Sequence, residues 1–585
     1  MELKLFEHAL KNIPVAGQKE YLIELLHNVK VFIHNLKWRV DKATNPEKYT
    51  NNKKTFGFNS TRAPPHIKEL EELQEKLAEM VKNIQFTAAP RNKLQDKLRQ
   101  DIKEINKDTQ VYVKADKTAN HYKVSVENYE KLVEKSIHSD YGKAELTKVS
   151  EIEQEAKAIA EKLELGNRIF KTSKREAKVT LKDHKGSFSH NPTCRLLNPT
   201  KPEIGRISKQ ILTKVIDVVR SKTGFNQWKN TNSVLEWFRA QPNKKRLKST
   251  SFTPITPDER EIIIHSKRSL LYFKGSPWVK KENPDFDVGM GSYDGAECCD
   301  MVGLFLLSQL QAPGLNIGLY YRDDGLATSK LTNRQTQLAL QKIDRIMQEN
   351  GLKIPGAEAN RIEVDFLDVT MNLATESYKP FHKPGETIKY VHVDSNHPPS
   401  IIKNIPLGVN RRLSDISSNQ AIFEAAIPPY QEALNKAGYK YKLSYIPPRV
   451  EERASPPRRR CRKRTVTWFN PPFNKAVKTN VASTFLTIID SCFPIGHSLR
   501  PIINRNTVKV SYRTMTNMSR VISKHNSKVI KRSKPAAATE PGANCNCRAP
   551  HLPCPLNSQC LTEGVVYNAK VTATLPPPRP TNANP

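Results

Sequence analysis

The sequence has no long run of apolar residues. No window of its 585 residues approaches the roughly 20 apolar residues that a membrane-spanning helix requires. The start, Met1-Glu2-Leu3-Lys4, also lacks the apolar core of a secretion signal. We therefore expect a protein that is neither secreted nor inserted in a membrane.

Cysteine is scarce and unevenly placed. Five of the nine cysteines are scattered, and the other four crowd into residues 545–560. The scattered ones are Cys194, Cys298, Cys299, Cys461 and Cys492. This is not the spacing of a disulfide framework, so a reducing compartment, the nucleus or the cytosol, fits best.

Acidic residues are few relative to basic ones. Asp plus Glu number 59 against 94 Lys plus Arg, which gives a formal net charge of +35 and a pI near 9.7. Such a field attracts polyanions, either nucleic acid or an anionic membrane surface. Because no apolar segment suggests a membrane, nucleic acid is the better partner.

The basic excess is greatest near the C-terminus. Residues 451–534 contain 19 Lys plus Arg and 3 Asp plus Glu. The run 458–464 has six basic residues around one cysteine and is soon followed by Trp468 and Phe469, which combines phosphate-seeking charge with stacking surface. We predict a nucleic-acid-binding region over 451–540, although a nuclear-import signal uses similar runs.

Two adjacent carboxylates, Asp323 and Asp324, stand between an apolar run at 315–321 and Gly325. The pattern predicts a strand, a tight turn and a second strand with the acids at the tip. Neighbouring like charges disfavour each other's ionisation unless cations are shared, and Mg²⁺ prefers carboxylate oxygens. The pair indicates a magnesium site for phosphoryl transfer; the alternative is a surface hairpin with an acidic turn.

Basic and glycine-rich segments precede this doublet. Lys182 follows a short predicted strand and Arg195 lies on the next one, where both could face a triphosphate or simply be solvated. Gly291 and Ser292 lie in a glycine-marked turn over 289–297, which permits close approach of a backbone or base pair, or is a plain helix entry.

Four cysteines near the C-terminus have the spacing C-x-C-x6-C-x5-C. Four thiolates within sixteen residues can surround one tetrahedral Zn²⁺, and free thiols are the alternative. The residues are Cys545, Cys547, Cys554 and Cys560. The proline-rich segment 575–585 is predicted to be disordered.

Hydrophobic periodicity predicts several further elements. Helices are expected around 21–29 and 67–84, and over 150–164, 204–212, 231–240, 257–272, 298–310 and 332–350. Strands are expected at 111–113 and 364–370.

Five segments stand in the order expected of reverse transcriptases: 181–185, 195–199, 291–297, 321–324 and 366–369. From about residue 60 to 570 the chain resembles proteins of Penelope-like retroelements, which join such a polymerase to a GIY-YIG endonuclease. The resemblance implies an α+β protein with the right-hand polymerase fold of fingers, palm and thumb. It also implies RNA template, DNA primer and deoxynucleoside triphosphates as partners.

The resemblance implies a role for each matching residue. Asp323 and Asp324 would be the palm carboxylates that bind Mg²⁺ or Mn²⁺, and Lys182 and Arg195 would hold the triphosphate of the incoming nucleotide. Gly291 and Ser292 would touch template and nucleotide, and residues 366–369 would support the primer. The primer 3′-hydroxyl would then attack the α-phosphate and release pyrophosphate.

The domain plan that follows has six parts. A helical N-terminal region would cover 1–165, fingers and palm 166–370, and a thumb-like region 371–450. The basic region, 451–540, precedes the cysteine cluster at 541–562 and a final segment, 563–585.

Two departures from the family bear on activity. Palm polymerases of this kind carry a third aspartate on an earlier strand, but residues 248–255 contain no acid, and Asp258 follows Pro257 as a helix start would. Residues 564–567 resemble the first endonuclease strand, but the rest of that motif does not follow. We therefore expect an impaired polymerase and no nuclease; the rival hypothesis is a non-catalytic RNA- or DNA-binding protein.

Overall fold

Helices and short strands are mixed along the chain. The computed structural model describes residues 1–47, 63–88, 91–165, 174–202, 204–225, 227–240, 255–310, 315–320, 324–329, 331–352, 362–382, 387–447 and 466–533. The helices are α1 (Gln18–Thr44), α2 (Glu71–Lys82), α3 (Lys93–Lys107), α4 (Val126–Asp140), α5 (Leu146–Lys162), α6 (Gly205–Thr223), α7 (Thr231–Ala240), α8 (Pro257–His265), α9 (Gly295–Gln309), α10 (Asn333–Glu349), α11 (Pro399–Asp415), α12 (Gln420–Lys436), α13 (Val481–Cys492) and α14 (Met518–Ser533).

The strands are short and lie between these helices. They are β1 (Glu2–Lys4), β2 (Val111–Lys114), β3 (His121–Val124), β4 (Tyr141–Lys143), β5 (Lys178–Leu181), β6 (Cys194–Leu197), β7 (Leu271–Phe273), β8 (Ser276–Lys280), β9 (Leu315–Tyr320), β10 (Asp324–Ser329), β11 (Glu363–Phe366), β12 (Val369–Asn372), β13 (Ser377–Pro380), β14 (Thr467–Phe469) and β15 (Val508–Val510). The chain is therefore an α+β protein, as the sequence predicts.

The strands pair into small sheets. Within the described ranges the orders are β1-β3-β2, β4-β8-β7, β5-β6, β9-β10, β11-β12-β13 and β14-β15. The paired strands are antiparallel except for β14 and β15, which run parallel. Antiparallel hairpins dominate because the connections are short, and short connections can join only antiparallel neighbours.

The first helices and the segment after residue 466 share one apolar core. Phe32 of α1 lies edge-on to Phe469 of β14 and to Phe485 of α13, with ring centroids 5.6 and 5.1 Å apart. Phe469 and Phe485 stack with centroids 4.2 Å apart. Such pairs add to the burial of the rings themselves. Part of the predicted basic region therefore packs against the predicted N-terminal region.

Several predicted elements are wrong in extent, and the helix predicted over 204–212 continues to Thr223. The helix predicted over 257–272 ends at His265, and β7 follows. Lys274 and Gly275 have left-handed φ values of 51° and 77°, which make a tight hairpin turn between β7 and β8. The strand predicted over 364–370 is instead the hairpin β11–β12, with Leu367 in the left-handed region at its turn (φ 61°).

Residues Met1–Asn526 form one compact unit and Ser527–Pro585 form a second. In the described part of either unit, no helix has the length and apolar character needed to cross a membrane. The predicted zinc ligands, Cys545, Cys547, Cys554 and Cys560, lie outside the described residues. The division into six parts and the zinc site stay predictions.

Candidate active site

The acidic doublet belongs to the antiparallel hairpin β9–β10. Asp324 is the first residue of β10 and pairs with Tyr320, the last residue of β9. Its side chain is exposed. Asp323 lies outside the described residues. The two predicted strands are confirmed, but Gly325, predicted to supply the turn, lies in β10 opposite Leu319. The metal-binding role of both carboxylates stays a prediction.

A tryptophan anchors this hairpin. The backbone N–H of Trp228 donates to the Leu319 carbonyl at 2.9 Å, and a Cβ at Gly318 would overlap the Trp228 ring. On its other side the indole meets Phe366 of β11 edge-on, with centroids 5.9 Å apart. Glycine at position 318 therefore lets the acidic hairpin and the β11–β12 hairpin pack against one aromatic side chain.

The turn of the β11–β12 hairpin is held by its aspartate. Asp368 accepts hydrogen bonds from the Thr231 hydroxyl and the Arg412 guanidinium. Thr231 begins α7 and Arg412 lies near the end of α11. The segment to which the resemblance gives a primer-supporting role is thus tied to two helices.

The two predicted triphosphate ligands lie on neighbouring strands of one hairpin. Lys182 directly follows β5, and its N–H donates to the Thr193 carbonyl at 2.9 Å. Arg195 lies in β6, opposite Thr180 of β5. Lys182 and Arg195 are both partly buried. Two cations on one hairpin can converge on a phosphate chain, because Arg presents a planar fork and Lys a mobile point charge.

The glycine-marked loop meets the end of this hairpin. The Asn198 N–H donates to the Met290 carbonyl at 3.0 Å. Gly291 has a φ of +117°, and a Cβ there would lie 2.6 Å from the Asn198 carbonyl oxygen. Both the conformation and the close approach require glycine. The structure therefore joins the segment that carries Arg195 to the segment that carries Gly291 and Ser292.

Two cations flank an aromatic ring in this loop. The Lys201 Nζ lies 4.8 Å and the Arg206 guanidinium 5.0 Å from the centroid of Tyr293. Lys201 also donates to the carbonyl oxygen of Gly291. Cation–π contacts of this kind hold the two basic side chains beside the loop, where they add positive charge.

A buried ion pair lies beneath the loop. The Lys267 Nζ is 2.6 Å from Asp294 Oδ1, and the two side chains are 1% and 0% exposed. Asp294 also accepts hydrogen bonds from the Ser266 hydroxyl, at 2.8 Å, and from the Ser208 hydroxyl.

Asp294 is the N-cap residue of α9, but its side chain does not cap the helix. It turns inward to Lys267 instead. Burial raises the pKa of the nearby Cys298 thiol, which therefore stays protonated at neutral pH. The buried ion pair between Lys267 and Asp294 thus holds the loop in a region from which water is excluded.

Helix α9 connects the loop to the acidic hairpin. It begins at Gly295, directly after the loop, and packs against β9. Contacts therefore run without a break from the β5–β6 hairpin through the loop and α9 to β9–β10, and through Trp228 to β11–β12.

The described residues do not complete a metal site. They contain no group of three His, Cys, Asp or Glu side chains that could hold a metal ion. Asp258 is part of the first turn of α8, which opens with a capping box between Thr256 and Glu259. The expectation that Asp258 begins a helix is confirmed, so it does not supply a carboxylate at a strand end. Asp324 has the right donor chemistry for a hard cation, but its predicted partner Asp323 lies outside the described residues.

Among the charged residues at this site that were not predicted from the sequence are Lys201, Lys267 and Asp116, the last of which pairs with Arg195. In the sequence Lys201 and Asp116 are charged residues near the ends of strands, with no feature that marks them as functional. For Lys267 no local signal exists, since it stands between Ser266 and Arg268 in a polar stretch.

No family model and no curated protein matches the chain. Among solved structures it is similar to telomerase from Candida albicans in complex with a TWJ fragment of telomeric RNA. The identity is 10% and the TM-score 0.37, with 74% of this chain and 77% of that chain covered. A score of this size does not establish a shared fold.

Proposed function

We propose that the chain is an RNA-directed DNA polymerase of a Penelope-like retroelement, one that transfers nucleotides from deoxynucleoside triphosphates to a DNA primer. The observation that carries the proposal is the continuous path of contacts among motif segments distant in sequence. Asn198 contacts Met290, α9 packs on β9, and Trp228 lies between β9 and Phe366.

Each part of this path has a role in the proposal. Lys182 and Arg195 hold the triphosphate, and the loop at Gly291 and Ser292 faces the pair formed by template base and nucleotide. Asp323 and Asp324 would hold a divalent ion, Mg²⁺ or Mn²⁺, whose positive charge would favour ionisation of the primer 3′-hydroxyl and stabilise pyrophosphate. The tie between Asn198 and Met290 fixes the triphosphate side of the site relative to the loop.

Primer extension on an RNA template tests the proposal. We expect slow extension by the full chain with Mg²⁺ or Mn²⁺, and a further loss of about 100-fold or more in Asp324→Ala, since metal ligands supply several kcal/mol of transition-state stabilisation. Asp344→Ala, on the surface helix α10, is the matched control and should extend as the parent does. Extension that survives both Asp323→Ala and Asp324→Ala would reject the proposed catalytic carboxylates.

A second function is favoured by one observation. Residues 248–255 contain no acid, and the nearest one, Asp258, lies in the first turn of α8. A chain without a third carboxylate could still bind RNA or DNA through its basic surface. It would then bind primer–template with strong salt dependence, unaffected by Asp324→Ala, and extend with neither ion. That result would reject the polymerase in favour of a non-catalytic binding protein.

A further inference from the structure

A strand from the N-terminal part of the chain extends to the hairpin that carries Lys182 and Arg195. Beyond the end of β2, Ala115 forms a bridge with Leu181 of β5. The next residue, Asp116, donates its N–H to the Leu181 carbonyl at 2.7 Å. The backbone of Asp116 is therefore held at the edge of the β5–β6 sheet by main-chain contacts.

From this position the carboxylate of Asp116 reaches Arg195. One guanidinium nitrogen, Nη2, lies 3.2 Å from Asp116 Oδ2. The side chain of Asp116 is 11% exposed, whereas that of Arg195 is 39% exposed. The carboxylate is thus sheltered, while the arginine side chain is more open to solvent.

A second carboxylate, that of Asp183, binds the turn that follows Asp116 and leads into β3. Asp183 Oδ2 accepts hydrogen bonds from the Thr118 hydroxyl at 2.6 Å, the Asn120 amide at 2.9 Å and the Tyr122 hydroxyl at 3.1 Å. Burial, and then the charge of Asp183, raise the pKa of Tyr122, so this phenol keeps the proton that it donates. The turn that follows Asp116 is tied to the residue next to Lys182.

We propose that Asp116 is a positioning residue that orients Arg195 for the triphosphate of the incoming nucleotide. The inference rests on the proposed function, because it takes Arg195 as a phosphate ligand. A free arginine loses rotamer freedom when it binds phosphate, and an arginine already held by a fixed carboxylate loses less. Asp116 would therefore strengthen phosphate binding without touching the nucleotide.

The geometry indicates that Asp116 orients Arg195 and does not compete with phosphate for it. The shortest contact of Asp116 is with Nη2 of Arg195, and the planar guanidinium carries several further N–H donors. A phosphate can use those donors while the ion pair stays in place. If Asp116 instead occupied the phosphate position, its removal would strengthen triphosphate binding, so the two possibilities differ in sign.

Equilibrium binding of a fluorescent deoxynucleoside triphosphate to the full chain tests this inference. We expect Asp116→Ala to weaken triphosphate binding about tenfold and Asp116→Asn to lie between it and the parent, since asparagine keeps an acceptor but loses the charge. Binding of the matching deoxynucleoside monophosphate should change less, because fewer phosphate oxygens depend on Arg195. A merely structural role would weaken both ligands alike.

A double-mutant cycle and a matched control complete the test. In an Arg195→Ala background, Asp116→Ala should have no further effect, because Asp116 acts through Arg195. Asp108→Asn is the control: Asp108 pairs with Lys123 at 3.3 Å in the neighbouring hairpin and should leave binding unchanged. Parent-like or tighter binding by Asp116→Ala overturns the inference alone. A parent chain that binds no triphosphate overturns the proposed function and this inference together.

Discussion

Breaking the buried ion pair beneath the glycine-marked loop should destabilise the protein strongly. We expect Asp294→Asn to lower the free energy of unfolding by about 3–5 kcal/mol, the usual effect of removing one partner of a buried pair. Lys267 is 1% exposed and would be left with an uncompensated charge. It must then stay charged without its partner or lose a proton, and both outcomes disfavour the folded state.

Two further variants distinguish the effect of the ion pair from the effect of its neighbouring hydrogen bonds. Lys267→Met should have a comparable effect, because Asp294 would keep the hydrogen bond from Ser266 at 2.8 Å but lose its counter-charge. The double variant Lys267→Met with Asp294→Leu removes both charges. It should cost far less than the sum of the two single changes, with a remainder of about 1–3 kcal/mol from hydroxyls that lose their acceptor.

Urea unfolding followed by far-ultraviolet circular dichroism measures these effects as shifts of the transition midpoint. Hydrogen exchange over residues 289–309 then shows whether the loss is local to the loop and α9. A single variant within about 0.5 kcal/mol of the parent, or a double variant as costly as the two singles together, would refute a buried coulombic anchor.

Two further predictions concern other parts of the chain. Trp468 is 52% exposed and lies in register with Lys509. Trp468→Ala should therefore weaken single-stranded RNA binding by about 1–3 kcal/mol, the value of one stacked base, whereas Ile495→Ala, also a surface change, should not. Equal effects of the two changes in a filter-binding titration would contradict a stacking role for Trp468. Burial lowers the pKa of His121, so the unfolded chain binds its proton first and stability should fall as pH drops below about 6.5. His121→Phe should reduce this slope in urea titrations between pH 7 and 5, and an unchanged slope would show that other groups set it.

Local pattern was sufficient for much of the fold. The apolar run before the acidic doublet and the apolar residues after Gly325 predicted β9 and β10, because strand periodicity is local; Gly325 itself lies in β10 and not in the turn. Helix α8 begins at Pro257, where Pro and the capping residues place it, but it ends before the predicted position. Lys274 and Gly275 specify a hairpin turn there, and turn chemistry took precedence over the apolar spacing.

The contacts that hold the candidate site could not be read in the same way. Asp294 directly precedes α9, a position at which an aspartate side chain commonly caps the helix. In the structure the Asp294 carboxylate instead forms an ion pair with Lys267, 27 residues earlier. An unpaired buried lysine would destabilise the folded state far more than a missing helix cap. Such pairings depend on which segments pack together, and one sequence contains no direct signal of them.

The same reasoning applies to the extent of the site. A boundary at residue 165, placed where the N-terminal helices end in the sequence, divides Asp116 from Arg195 and Thr118 from Asp183, although each pair is in contact. The hairpin that carries Lys182 is therefore incomplete without the strand that ends at Lys114. If Lys182 and Arg195 bind a triphosphate, their geometry is set partly by the N-terminal region, and that region belongs to the nucleotide site.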